Sequence, residues 1–122
     1  MAFTGKVIQG LQNGRTFGFP TANILLNDPE VNLESGVFAV KVCLNDEYYY
    51  GMLYVGTRPT LHLSKKSIEI NIFDFSQNIY NQLIDFQILK KIRDEMVFDS
   101  VDQLILQINK DYEEVKTYLG NC

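Results

Sequence analysis

Val37-Phe38-Ala39-Val40-Lys41-Val42-Cys43-Leu44-Asn45-Asp46-Glu47-Tyr48-Tyr49-Tyr50-Gly51-Met52-Leu53-Tyr54-Val55 reads as two strands joined by a tight turn. Residues 37–44 and 48–55 are rich in Val, Phe and Tyr, side chains that suit a pleated, half-buried surface. Asn45-Asp46 between them is the kind of pair that closes a hairpin. Four more runs of the same character lie outward from this unit, at residues 3–9, 21–26, 67–75 and 83–92. Gly, Pro and Asn fall between them at irregular intervals, with no repeat and no low-complexity segment.

The period changes only at the end of the chain. Val101, Leu104, Ile105, Ile108, Tyr112, Val115 and Leu119 recur at three- and four-residue steps and form one apolar helix stripe. Ser100 with Gln103 three residues later has the form of a capping box. Six strands and one amphipathic helix call for a closed or nearly closed sheet, because an open sheet of this size leaves edges exposed and one face uncovered. The expected architecture is a small antiparallel barrel carrying a C-terminal helix.

With 122 residues and 46% hydrophobic content, the chain is sized for one domain with one core. No basic stretch leads into an apolar segment at the start, and no run of about 18 apolar residues occurs, so neither export nor membrane insertion is expected. Cys43 and Cys122 have no metal-type spacing and make no disulfide framework, so a reducing, cytoplasmic setting is the default. A net charge of −4 opposes contact with a phosphate polymer and argues against nucleic acid as a partner. The same charge repels free nucleotide, so a nucleotide site here needs backbone N–H groups, a metal ion or a placed cation.

The run from Gly5 to Asn23 can meet that need. Gly5, Gly10, Gly14 and Gly18 fall within fourteen residues, and glycines let successive N–H groups converge on a phosphate oxygen. Arg15 can add a cation. This is not a Walker loop: the glycine spacing is one short, Arg15 replaces the lysine, and Pro20 and a strand follow where a helix belongs. A plain glycine-rich turn is the competing reading. Thr21 and Asn23 stand two apart on an extended segment and project to one side, offering a hydroxyl and an amide carbonyl suited to Mg²⁺. Alternatively, both merely satisfy the backbone of a turn.

In residues 67–75, Ile68, Ile70 and Ile72 line one face and Glu69, Asn71, Phe73 and Phe75 the other. Glu69 is thus an acid among large apolar residues. Partial shielding from water raises a carboxylate's pKa and suits a general base; a solvated acid outside the barrel is the competing reading. Gly56-Thr57-Arg58-Pro59-Thr60 is a strand exit, and residues 93–98 join the last strand to the helix. The chain's only histidine, His62, sits in a polar loop and receives no role.

These residues resemble the riboflavin kinase family, found alone or as the C-terminal half of bacterial bifunctional FAD synthetases. The pattern is carried in register by Gly5, Val7, Gly10, Gly14, Arg15, Gly18, Phe19, Pro20, Thr21, Ala22 and Asn23. Further landmarks follow in order: Gly56 with Arg58-Pro59-Thr60, Glu69 ahead of Asp74-Phe75, Ile79-Tyr80, Arg93, Glu95, Phe98 and Asp111. Asn71 stands where histidine is common, Asn81 where glycine is usual, and Val55 where another residue is frequent.

The resemblance implies one riboflavin kinase domain over residues 1–122, built as a six-stranded antiparallel Greek-key β-barrel with a C-terminal α-helix. It implies transfer of the γ-phosphate of ATP to the ribityl 5′-hydroxyl of riboflavin, giving FMN and ADP. Glu69 is then the catalytic base and Mg²⁺ sits near Thr21 and Asn23. Gly10, Gly14, Arg15, Gly18, Pro20, Thr21 and Asn23 receive the ATP phosphates. Arg93, Glu95 and Phe98 are assigned to the flavin. Residues 10–19 and 57–66 are expected to close over substrates. Two alternatives stay open: a kinase half of a longer enzyme with a fused FMN adenylyltransferase domain, and a non-catalytic flavin- or nucleotide-binding barrel. A monomer, with no membrane partner, is expected.

Overall fold

The computed structural model describes residues 2–8, 21–28, 30–57, 66–75 and 78–120. Six strands, β1 (Ala2–Ile8), β2 (Ala22–Leu26), β3 (Gly36–Leu44), β4 (Glu47–Thr57), β5 (Lys66–Ile72) and β6 (Leu83–Arg93), precede one helix, α1 (Val101–Gly120). Every pairing is antiparallel, and the order β1-β2-β5-β4-β3-β6 closes on itself. β3, β4 and β5 are successive neighbours and β6 returns beside β3, which is the strand order of a Greek key. Closure gives each strand two partners, which removes the open edges of a flat sheet.

Alternation decides what fills the barrel. Phe38, Val40, Val42 and Leu44 of β3 point inward and meet Leu53, Val55, Ile70, Ile72, Ile24, Val7, Ile84 and Phe86. The opposite faces of β3 and β4 present Val37, Ala39 and Met52 outward, where Val115, Ile108, Tyr112 and Leu119 of α1 cover them. The helix stripe read from the sequence thus has its counterpart on the outer wall of the barrel from Ile108 to Leu119, whereas Val101 at its start is exposed.

The hairpin turn follows its sequence. Asn45 and Asp46 take φ of 52° and 66°, and two left-handed residues give the turn whose twist matches the flanking strands. Ser100 caps α1, its Oγ accepting from the Gln103 N–H at 3.2 Å. The Gln103 side chain accepts from the N–H of Asp99 at 3.3 Å, one residue earlier than a reciprocal capping box. Gly36 opens β3 at φ 143°, and a Cβ there would stand 2.5 Å from the Arg93 carbonyl oxygen; glycine allows β3 to start against the end of β6.

One run ends earlier than its pattern indicates. β5 stops at Ile72, and Asp74 turns left-handed at φ 56°. Phe73 stays on the outer side and meets Tyr112 edge-on at 5.1 Å. Phe75, expected on the same face as Glu69, instead packs on the interior cluster against Tyr49 at 5.0 Å. A residue with positive φ resets the alternation, so face assignments cannot be carried through it.

Candidate active site

The site is a row of side chains on the outer face. Register places Asn23 of β2 opposite Glu69 of β5, Glu69 opposite Tyr54 of β4, Tyr54 opposite Val37 of β3, and Val37 opposite Arg93 of β6. Period two fixes their common direction, because Ile24, Ile70, Leu53 and Phe38 beside them point into the core. α1 covers the Val37 part of this row.

Glu69 is only 7% exposed, and Asn71, two residues along, is buried as well. The reading of Glu69 as a solvated acid therefore does not hold. Thr21 immediately precedes β2 and donates its Oγ1 hydrogen to Glu69 Oε1 at 3.2 Å. Thr21, Asn23 and Glu69, separated by as many as 48 residues in sequence, thus form one cluster of a hydroxyl, an amide and a carboxylate. Among the described residues no group of three His, Cys, Asp or Glu side chains comes together to hold a metal. The hard-oxygen set at Thr21 and Asn23 nevertheless fits Mg²⁺, which takes few protein ligands and completes its shell with water and phosphate oxygens.

The other end of the row is fixed from the helix. Arg93 forms a two-pronged pair with Asp111 of α1, Nε to Oδ1 and Nη2 to Oδ2, both at 2.8 Å. Gln107 Nε2 donates to the same Oδ1 at 3.0 Å, so the buried carboxylate is well supplied with donors. Arg93 Nη1 also donates to the Asp94 carbonyl at 2.9 Å, and its guanidinium lies 5.9 Å from the Phe98 ring centre. Glu95 accepts a hydrogen bond from the Tyr54 hydroxyl at 3.3 Å. The three residues assigned to the flavin therefore lie on one connection, clamped between the helix and the outer wall.

Lys91 borders this connection, pairing with Glu34 and with Asp94 at 2.5 Å. The Lys91 ammonium holds the Asp94 carboxyl below its ordinary value, and Asp94 and then Glu34 raise Lys91. The described part of the site carries Glu69, Glu95 and Asp111, and Arg93 is committed to Asp111.

Gly10, Gly14, Arg15, Gly18 and Pro20, the strand exit at residues 58–60, His62 and most of the two expected flaps lie outside the described residues. Two participants carry no signal in the sequence. Tyr54 is one tyrosine among seven, and only strand register sets it between Glu69 and Glu95. Gln107 is an ordinary helix residue until Asp111 is seen buried beside it.

A family model described as Flavokinase, riboflavin kinase, matches residues 1–119. The bifunctional riboflavin kinase/FMN adenylyltransferase of Haemophilus influenzae is 46% identical over 118 residues, covering 96% of this chain and 38% of that protein. The chain spans 38% of the length of the first curated relatives it matches. A crystal structure from Streptococcus pneumoniae, named a macrolide-efflux protein, aligns at a TM-score of 0.85 with 39% identity over 94% of this chain and 38% of that one. Among the described residues no helix here is long and apolar enough to cross a membrane. The crystal structure of riboflavin kinase from Trypanosoma brucei aligns at a TM-score of 0.67 with 23% identity, over 98% of this chain and 79% of that one, a likeness of fold. A closed six-stranded barrel with the Thr21, Asn23 and Glu69 cluster on its wall, matched over nearly its whole length by that family model, belongs to the riboflavin kinase family.

Proposed function

We propose that this chain, read as one riboflavin kinase domain over residues 1–122, phosphorylates riboflavin. The ribityl 5′-hydroxyl oxygen attacks the γ-phosphorus of ATP, the bond from that phosphorus to the bridging oxygen breaks, and FMN and ADP leave. Glu69 accepts the hydroxyl proton. The observation that carries this reading is the bond from Thr21 to the buried Glu69 carboxylate, with Asn23 opposite Glu69 in the ladder.

Phosphoryl transfer is mostly positioning and charge stabilisation, so few special residues are needed. Glu69 orients the attacking hydroxyl and takes its proton, while the Thr21 hydrogen bond to Oε1 helps to hold the carboxylate in place. Thr21 and Asn23 would hold Mg²⁺, which supplies charge neutralisation for the phosphates when bound with ATP. Gly10, Gly14, Arg15, Gly18 and Pro20 are proposed to receive those phosphates, because the described part of the site is acidic. Arg93, Glu95 and Phe98 are proposed to border the flavin. The setting proposed is the cytoplasm.

The test is incubation of the purified chain with riboflavin, ATP and Mg²⁺, with flavins followed by chromatography. FMN should form, and Glu69→Gln should lower kcat by roughly 10²- to 10⁴-fold while riboflavin binding is largely kept. An unchanged rate removes Glu69 from the mechanism; a folded chain that binds flavin without forming FMN is a binding barrel.

A further inference from the structure

Resting on the kinase reading above, we propose that Tyr54 is a positioning residue for the acceptor substrate: its hydroxyl anchors Glu95 and so sets the wall of the flavin side of the site. β4 leaves no choice about direction, since Leu53 and Val55 on either side are fully buried in the barrel core and Tyr54 must face outward. Register then puts it directly across from Glu69, where facing Cβ atoms stand about 5 Å apart.

Gly56 determines where the ring goes. Residues 54 and 56 share a face, and a Cβ at position 56 would collide with the Tyr54 ring, from its hydroxyl to its nearest ring carbons. With no side chain at 56, the ring lies along the strand over that position and its hydroxyl reaches Glu95 Oε2 at 3.3 Å. Glu95 stands two residues beyond the end of β6, on the connection from Arg93 to α1. That connection is held at Arg93 by Asp111 and at Glu95 by Tyr54. The first contact ties it to the helix; the second ties it to the wall beside Glu69. Moving Glu95 therefore alters the wall that borders the flavin and leaves Glu69 and the Thr21 and Asn23 side in place.

Three variants test this: Tyr54→Phe, Glu95→Ala and the double variant. A net hydrogen bond to a charged acceptor, here a long one, is worth about a five- to tenfold effect. Tyr54→Phe should raise the KM for riboflavin by that factor, with the KM for ATP and kcat within about twofold of wild type. In the Glu95→Ala background, adding Tyr54→Phe should change the riboflavin KM by less than about twofold, because the contact that sets Glu95 is already gone. A merely structural tyrosine would lower the melting temperature and move both substrates alike. If FMN is made but Tyr54→Phe leaves riboflavin KM unchanged, or still raises it without Glu95, the positioning role is refuted and the kinase reading stands. If wild type makes no FMN, riboflavin fluorescence quenching reads the same Tyr54–Glu95 coupling as a dissociation constant. Failure of wild type to bind riboflavin overturns both.

Discussion

Asp111→Ala should be the most damaging single truncation on α1, and the structure sets its size. The Asp111 side chain is 2% exposed and takes three donors, two from Arg93 at 2.8 Å and one from Gln107 at 3.0 Å. Removing one partner of a buried pair costs about 3–5 kcal/mol, because it strands the other charge. The Arg93 side chain retains 14% exposure and can turn partly toward water, which favours the lower end, about 3 kcal/mol. At roughly 2.1 cal/mol/K of unfolding entropy per residue, a chain of 122 residues loses about 4 °C of Tm per kcal/mol, so Asp111→Ala should melt about 12 °C below wild type. Circular dichroism melts supply the measurement. Replacing both partners, Arg93→Met with Asp111→Leu, removes the stranded charge and should return Tm to within about 4 °C of wild type. An Asp111→Ala protein that melts within about 4 °C of wild type, or a double variant as unstable as the single one, would refute the argument.

Thr21→Val keeps the shape and deletes the hydroxyl; the Mg²⁺ concentration for half-maximal rate should rise by about 10- to 100-fold, and an unchanged Mg²⁺ requirement would exclude Thr21 from the metal site. Asp46→Gly relieves a left-handed residue at φ 66° and should raise Tm by about 2 °C, whereas a fall would mean that the Asp46 side chain holds the turn. The Lys91–Asp94 pair has a definite pH signature. Asp94 is lowered, so its contribution is present above 3.8 and lost as pH falls through its folded value; Lys91 is raised, so its share is present below 10.5 and lost above its folded value. Both shares are therefore present across neutral pH. A carbon NMR titration should find Asp94 below 3.8 in wild type and restored toward it in Lys91→Met, and a midpoint indifferent to Lys91 would contradict the assignment.

The sequence by itself determined the local elements, because their causes are local. β-branched and aromatic runs gave six strands, Asn45-Asp46 gave the left-handed turn, and the three- and four-residue steps from Val101 to Leu119 gave the helix with its Ser100 cap. The family resemblance singled out Thr21, Asn23 and Glu69 together as a candidate set, whereas spacing alone related only Thr21 to Asn23, two apart on an extended segment. Tertiary structure alone decided what those faces meet. The order that sets β2 beside β5 brings Asn23 opposite Glu69, and no period in the sequence encodes a neighbour 46 residues away. Asp111 falls on the face of α1 that packs on the barrel, where Arg93, 18 residues earlier, supplies its fork. Phe75 left the face its spacing assigned once Asp74 turned left-handed. Periodicity reports which way a side chain points within one element, whereas register and closure of the barrel choose its partner, and in this protein the row from Asn23 to Arg93 is made of such partners.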